Sequence, residues 1–355
     1  MQTLKTIVFI SGYLLVLISL IPLVRNDNWI FRIFEYPRFQ KLIINIFLAA
    51  CAFIFADSRS VHDVFFLSLL SANAVYLFYQ IWPYTILAKF QMSRISRPVA
   101  DRQLRLLIAN VYQENRDAGA CLGQILELDP DLVMLVETDS WWKGELDKKL
   151  LEKYPYILSK CLDNTYGILL YSRFELIGPT VKFLVEKDVP SIHTKVRLLC
   201  GRVVQLYGLH PKPPVPHENA RSTERDAEIL LVGKQARSLN LPVIVAGDLN
   251  DVAWSYTTEL FLKVSRLLDP RRGRGFYNTF HAQHWFLRWP LDHIFCSGHF
   301  QLVSLRRLPP IGSDHFPILV ALQLAAETEN ENLEEALSSS REEEEMASEK
   351  IEKAR

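Results

Sequence analysis

The protein is a chain of 355 residues, 49% of them hydrophobic, whose 40 Lys and Arg balance 40 Asp and Glu to a formal net charge of zero. Length and composition exclude a collagen-like, disulfide-stapled or wholly disordered chain and leave room for a sizeable buried core. The zero is a sum of unlike parts: residues 1–100 carry 9 bases and 4 acids, residues 101–324 carry 27 and 25, and residues 325–355 carry 4 and 11. Total charge therefore says nothing about partners, whereas its distribution does.

In chain order, the first 99 residues read as membrane. Ile7–Val24 is an uncharged run of 18 residues, residues 40–57 hold a second built on Leu42–Ala56, and Val64–Ala88 is a third of 25. A helix needs about 20 apolar residues to cross a bilayer core, so the first and third runs qualify directly. The second qualifies if Lys41 snorkels outward; its alternative is an interfacial or re-entrant helix. Ile21-Pro22-Leu23-Val24-Arg25 offers no small-residue cleavage site, which marks the first run as a retained anchor. Arg25, Arg32, Arg38 and Lys41 follow the first run, and Lys89, Arg94, Arg97, Arg102 and Arg105 follow the third. Only Lys5 and Arg59 lie on the other side. With three spans, the positive-inside rule puts the N-terminus outside and everything after residue 89 in the cytoplasm.

Residues 100–324 alternate strand and helix patterns. Strands are expected at Leu104–Ala109, Leu132–Val136, Ile157–Leu158, Gly167–Tyr171, Thr180–Val185, His193–Leu199, Val203–Leu209 and Pro242–Ala246. Three more follow at Leu291–Cys296, Phe300–Arg306 and Phe316–Leu322. Helices are expected at Asp117–Leu128, Trp142–Leu151 and Glu218–Leu239. Such a mixture indicates an α+β domain of sheet flanked by helices. From Ala325 apolar content collapses, with Ser338-Ser339-Ser340 and Glu342–Glu345, so 325–355 is expected to be an acidic tail, disordered or a solvated helix. The five cysteines are an odd, widely spaced set without a Cys-x-x-Cys pair, which fits small buried residues better than a disulfide framework or a zinc site.

Polar residues recur where apolar strands end. The blocks are Leu107-Ile108-Ala109-Asn110, Leu135-Val136-Glu137-Thr138, Tyr207-Gly208-Leu209-His210, Ala246-Gly247-Asp248-Leu249-Asn250, Leu291-Asp292-His293-Ile294-Phe295 and Gly312-Ser313-Asp314-His315. One such residue is ordinarily a solvated turn, but together they resemble the endonuclease/exonuclease/phosphatase superfamily, in that family's order, over about residues 102–324. In character the chain is similar to a bacterial membrane-anchored branch, which implies a multi-pass protein of the inner membrane. The resemblance implies a four-layer α/β/β/α sandwich behind the transmembrane region.

It also implies hydrolysis of a phosphodiester, an anion that needs charge neutralisation, an aligned water and a helped leaving group. By this resemblance Asn110, Glu137 and Asp314 would hold a hard cation, Mg2+ with Mn2+ as a substitute, through oxygen. Asp248 would hold the attacking water and Asn250 would donate to phosphoryl oxygens. His315 would face the scissile phosphate with its tautomer fixed by Asp292, and His210 would contact phosphate or assist the leaving oxygen. His281 and His284 fall outside the blocks and read as surface or rim residues, and His293 as structural.

Arg271, Arg272 and Arg274, with Thr279 and the aromatics Tyr277, Phe280, Trp285, Phe286 and Trp289, form a basic and aromatic segment. It could grip a nucleic-acid backbone or a lipid-headgroup phosphate. A nuclease-like substrate is the preferred expectation, with a sphingomyelinase-like or other membrane phosphoesterase as the alternative. A non-catalytic membrane adaptor on the same fold is the alternative of another class, and it would be expected to have lost at least one site position. None is lost.

Overall fold

The computed structural model describes residues 2–326 and 335–354. Eleven strands form two sheets among the described residues. The first has the order β10-β11-β1-β2-β4-β3, built from β1 (Gln103–Asn110), β2 (Leu132–Val136), β3 (Tyr156–Lys160), β4 (Ile168–Ser172), β10 (Phe300–Arg307) and β11 (Ile318–Leu324). The second has the order β5-β6-β7-β8-β9, built from β5 (Leu176–Lys182), β6 (Ser191–Arg197), β7 (Val203–Leu209), β8 (Val243–Asp248) and β9 (Asp292–Cys296). Leu132, Met134 and Val136 of β2 meet Leu206, Ile244 and Ile294 of the facing sheet in one core, while Val133 and Leu135 face the other way. An uninterrupted apolar strand is what a sheet covered on both faces requires.

Helices α5 (Gly119–Leu128) and α6 (Ser140–Leu150) cover the outside of the first sheet. Helices α7 (Thr223–Ser238) and α8 (Tyr256–Ser265) cover the second. These four layers, α/β/β/α, are the sandwich expected from the resemblance. The helix expected from Glu218 starts only at Thr223, because Trp29 N donates to the Ala220 carbonyl and Ser222 N to that of Asp27, which holds the preceding segment extended. The strand expected at Thr180–Val185 lies earlier, at Leu176–Lys182, an edge position where Pro179 is tolerated within an irregular register. Helix α8 has no counterpart in the sequence reading; its β-branched and aromatic opening hides a helix capped by Ser255, whose side chain accepts from Thr258 N.

Among the described residues, three helical segments are long and apolar enough to cross a membrane: Gln2–Val24, Arg38–Phe55 and Val61–Tyr84. They contain α1 (Gln2–Leu20), α3 (Arg38–Phe55) and α4 (Val61–Ile81), with the single-turn α2 (Trp29–Arg32) between the first two. Their outer faces present Ile10, Leu17, Phe47, Phe53 and Ile54. Inside, Asn73 Nδ2 donates to Asn45 Oδ1 at 2.8 Å and Asn45 Nδ2 to the Leu70 carbonyl at 2.9 Å, a polar clasp suited to helices that meet away from water. Gly12 is required by close approach: a Cβ there would lie 2.3 Å from Phe66 Cζ.

The end of this bundle formed by the α1 C-terminus, the α3 N-terminus and the α4 C-terminus sits on the sandwich. Arg32 bonds Asp226 and Thr257, Arg38 bonds the Trp254 carbonyl, and Tyr84 bonds that of Ala253. Of the two states expected for the acidic tail, the described part takes the helical one, docked rather than free. Residues 341–353 form α9 (Arg341–Lys353), with Ala347 and Ile351 buried in the cluster of α7 and α8. Only two of its apolar side chains are buried, too few to register as an amphipathic pattern, and ion pairs add to them. Residues 327–334 of that tail lie outside the described residues.

Candidate active site

Two parallel strand pairs, β1 with β2 and β7 with β8, point their C-terminal ends to the same edge of the sandwich. Asn110 closes β1 and Glu137 follows β2; His210 follows β7 and Asp248 closes β8. The antiparallel neighbours complete the group: Asp292 opens β9 opposite Asp248, and Asp314 and His315 precede β11 beside β1. Gly247 at φ 141° permits the last turn of β8, where a Cβ would lie 1.9 Å from the Leu209 carbonyl oxygen.

His315 Nδ1 lies 2.7 Å from Asp292 Oδ2, and its Nε2 lies 3.5 Å from Asp248 Oδ2. His210 Nε2 is 3.9 Å from the same Asp248 oxygen. Asn110 Nδ2 donates to Glu137 Oε1 at 2.7 Å and to Asp248 Oδ2 at 3.1 Å. Asn110, His210, Asp248, Asp292 and His315 are buried, while Glu137, Asn250 and Asp314 are half-buried at the rim. The sequence blocks therefore form one pocket with a deep proton-carrying floor and an acidic lip.

Burial alone would lower the His315 pKa, but Asp292 and Asp248 reverse it and push it up to about 10. Asp292 is lowered against its own burial, chiefly by His315, so the two form an imidazolium–carboxylate pair. Glu137 is pushed up to about 7 by burial, with Asp248 and Asp314 adding repulsion. His210 is pushed down to about 3 by burial and by His315, leaving a neutral imidazole whose Nδ1 has no hydrogen-bond partner among the described residues.

Which groups suit a cation follows from these contacts. Asp248, Asp292 and His315 bring ligand atoms within 4.8 Å of one another, yet His315 Nδ1 is hydrogen-bonded to Asp292 and its Nε2 faces Asp248, which makes this trio an ion-paired group rather than a cradle. Glu137 and Asp314 supply the hard, half-buried oxygens and mutual repulsion that a divalent cation would relieve. Asn110 departs from its expected part: it turns its amide N–H groups to Glu137 and Asp248, and its oxygen accepts from Tyr112 N at 3.0 Å. Asn250 likewise donates from Nδ2 to the Pro211 carbonyl at 3.0 Å.

The basic segment is not brought to the pocket as a phosphate grip. Arg271 is buried on Asp269, donates to the Asp292 carbonyl and touches His293 Nδ1. Arg272 pairs with Glu259, and Arg274 bonds the carbonyls of Pro270 and Met92. Thr279 is buried and accepts the backbone N–H of Leu291 at 3.2 Å and of Asp292 at 3.1 Å. Arg271 and Thr279 brace β9, while Arg272 and Arg274 bond to Glu259 and to backbone carbonyls; a run of arginines in a sequence cannot reveal that its partners lie inside the fold.

Other positioning residues carried no sequence signal. Tyr36 Oη donates to the Asn250 carbonyl at 2.8 Å and Arg225 Nη1 to the same oxygen at 2.6 Å, holding Asn250 at φ 51°. Their separation from Asn250 by 214 and 25 residues hides the contact. The Tyr166 ring lies 5.2 Å from that of His210, and the Phe280 ring 5.0 Å from that of His315.

Residues 107–315 match the family model described as Endonuclease/Exonuclease/phosphatase family. A UPF0294 protein of Vibrio cholerae is 23% identical over 236 residues, spanning 63% of this chain and 79% of its own. Among solved structures, the endonuclease/exonuclease/phosphatase from Beutenbergia cavernae superposes with a TM-score of 0.52 at 16% identity, covering 63% of this chain and 72% of its own. D. rerio TDP2 complexed with a single-strand DNA product gives 0.53 at 16% identity, covering 63% and 100%. The human Nocturnin catalytic domain with bound sulfate gives 0.51 at 18% identity, covering 68% and 99%.

Proposed function

Because the chain belongs to the endonuclease/exonuclease/phosphatase family, hydrolases of phosphoester bonds, we propose that it is a membrane-anchored, divalent-metal-dependent phosphodiesterase. The observation that carries the reading is the meeting of six strand-end residues from both sheets at one edge, centred on His315 between Asp292 and Asp248. Membrane anchoring is supported by the three long apolar helices and their exposed apolar faces.

Each side chain has a part that its contacts allow. Asp248 accepts a proton from the attacking water, oriented by Asn110 Nδ2 and Asn250 N on its two oxygens. His315 presents Nε2 to the phosphate and stabilises its developing charge, held by Asp292 at Nδ1. His210, neutral and deep, can offer a ring N–H as a hydrogen bond to a phosphoryl or leaving oxygen. Glu137 and Asp314 would hold Mg2+ or Mn2+. The bound ion would supply neutralisation of phosphate charge.

Among substrates, the expectation of nucleic acid rested on Arg271, Arg272 and Arg274, of which the first two are in internal ion pairs and the third bonds backbone carbonyls. The reading is therefore kept at the phosphodiester class.

The test is hydrolysis of bis(p-nitrophenyl) phosphate by the full chain in detergent with Mg2+ or Mn2+. Chelator is expected to abolish turnover and added metal to restore it. His315→Ala and Glu137→Ala are each expected to lower kcat by at least about 100-fold, the scale of a lost acid–base or electrostatic group. Undiminished activity in chelator would reject the metal, and an active His315→Ala would reject the site.

A further inference from the structure

Residues 279–291 form a hairpin beside the pocket, paired through Phe280 and Trp289 and through the His281 N–H to the Leu287 carbonyl. Its tip carries three consecutive large apolar residues turned to solvent: Trp285 is 81% exposed, Phe286 44% and Leu287 45%. Water gives no reason to display such a tip, and a run of this kind on a surface marks a contact.

Where the tip sits identifies the contact. Gln40, in the first turn of the span α3, donates from Nε2 to the Phe286 carbonyl at 3.0 Å. The Tyr36 ring meets the Trp289 ring edge-on at 5.8 Å, and Phe39 meets Phe276 at 5.2 Å. The tip is thus fixed at the height where α3 enters the bilayer, the layer in which tryptophan and phenylalanine rings settle between headgroups and acyl chains.

The other end of the hairpin touches the site. Ala282 N donates to the Asp314 carbonyl at 2.6 Å, and the Phe280 ring lies 5.0 Å from that of His315. Ala282 and Trp285 are three residues apart, at most about 10 Å at the 3.3 Å per residue of an extended chain, and less here because residues 282–287 turn and bend. The headgroup zone of one leaflet is about 5–8 Å deep. A tip seated in that zone puts Asp314 and His315 within reach of headgroup phosphates, with no need to lift a lipid out of the bilayer.

We propose that the Trp285-Phe286-Leu287 tip inserts into the membrane interface and that the adjoining pocket takes a phosphodiester whose apolar part stays in the bilayer. The substrate half of this rests on the phosphodiesterase reading, and the insertion half only on the membrane anchoring proposed with it. A nucleic acid stacked on Trp285 would instead have to run along the apolar flank of α3; Arg271 and Arg272 are held in internal ion pairs, and Arg288 and Arg307 donate to backbone carbonyls of the hairpin and of Asn278.

The test uses the full chain in nanodiscs. With phosphatidylcholine brominated near the top of its acyl chains, tryptophan fluorescence is expected to be quenched, and Trp285→Phe is expected to lose part of that quench. An unchanged quench rejects insertion, whatever the activity. In vesicles of phosphatidylcholine, phosphatidylethanolamine and phosphatidylglycerol, released headgroup is measured by mass spectrometry. The double variant Trp285→Asp with Phe286→Asp is expected to release at least 10-fold less headgroup while hydrolysing bis(p-nitrophenyl) phosphate unchanged. Equal losses on both substrates, or cleavage of single-stranded DNA without release of headgroup, reject the proposed substrate class. Wild type inert toward the soluble diester rejects the phosphodiesterase reading itself, and the quench then decides insertion alone.

Discussion

His315 is held by Asp292, and Asp292 is held in turn by residues that never face the pocket. Thr279 Oγ1 accepts two backbone N–H groups at Leu291 and Asp292, and Arg271 ties the Asp292 carbonyl to Asp269. Thr279→Val keeps the volume and leaves both donors buried without an acceptor, at a cost of about 1–3 kcal/mol each. We expect kcat on the soluble diester to fall about 10-fold with KM little changed, and Thr279→Ser to restore it; an unaltered kcat would place Thr279 outside the positioning chain. Arg271→Ala strands a buried Asp269, a loss of about 3–5 kcal/mol when one partner of a buried pair is removed. The expected result is a lower Tm in a thermal melt and no change in the salt dependence of KM. A phosphate-gripping arginine would show the reverse. Tyr36→Phe leaves Arg225 alone on the Asn250 carbonyl, and a fall in kcat of about 3–10-fold is expected for one lost hydrogen bond of about 1 kcal/mol.

Among the elements, α9 shows how an acidic tail becomes structure. Ser340 and Glu343 form a capping box, and Glu342, Glu343 and Glu344 sit at the positive end of the helix dipole. The last turn carries the opposite charge. Lys350 bridges Asp27 and Asp226 at 2.9 Å to each, and Lys353 reaches Asp27 at 2.6 Å. Burial works to raise the pKa of Asp27, but Lys353 and Lys350 outweigh it and hold the carboxyl low; Asp226 is likewise lowered against burial, by Arg32, Lys350 and Arg225. Because these folded values lie below an unfolded carboxylate of about 3.9, the stabilisation is present above that pH and is lost as pH falls through the folded values. Hydrogen-exchange protection factors over residues 341–353, corrected for the intrinsic rate at each pH, are therefore expected to be high at pH 7 and to fall below about pH 4 before the sandwich opens. Protection that persists unchanged at pH 3 would show that Ala347 and Ile351 suffice to dock the helix.

On the scale of the whole molecule, the helical region and the sandwich share side chains. Glu35 accepts the Trp254 indole N–H at its carbonyl, and Tyr36, Arg38 and Tyr84 bond the carbonyls of Asn250, Trp254 and Ala253. The segment just after Asp248 is thus positioned by residues from outside the sandwich. An excised 100–324 fragment is expected to be less stable and at least about 10-fold less active than the full chain in detergent, since each lost bond to a buried carbonyl costs about 1–3 kcal/mol. The same contacts bear on topology. Arg32, Arg38 and Lys41 are hydrogen-bonded internally, so packing as well as charge keeps their loop on the side of the sandwich. In a background without the native cysteines, Arg59→Cys in the α3–α4 turn is expected to react with an impermeant maleimide only from the face opposite the sandwich. Reaction from the same face as Arg307→Cys would overturn three crossings.

By itself the sequence marked most of the strands, the two-sided burial of the central ones and the residues at their ends, because these depend on runs of five to eight neighbours and on a fixed order of short blocks. It likewise marked the three long helices. It could not tell that Arg271 and Arg272 turn inward, that Tyr36 reaches Asn250, or that two apolar residues dock α9, since each partner is set by how the layers close. The 281–289 segment was legible as aromatic and basic but not as a hairpin tip level with α3. Only the tertiary structure decided that, because a side chain's exposure depends on what the rest of the chain leaves uncovered. The six polar strand ends became one pocket for the same reason: parallel strand pairs in two facing sheets bring distant C-terminal ends to a common edge.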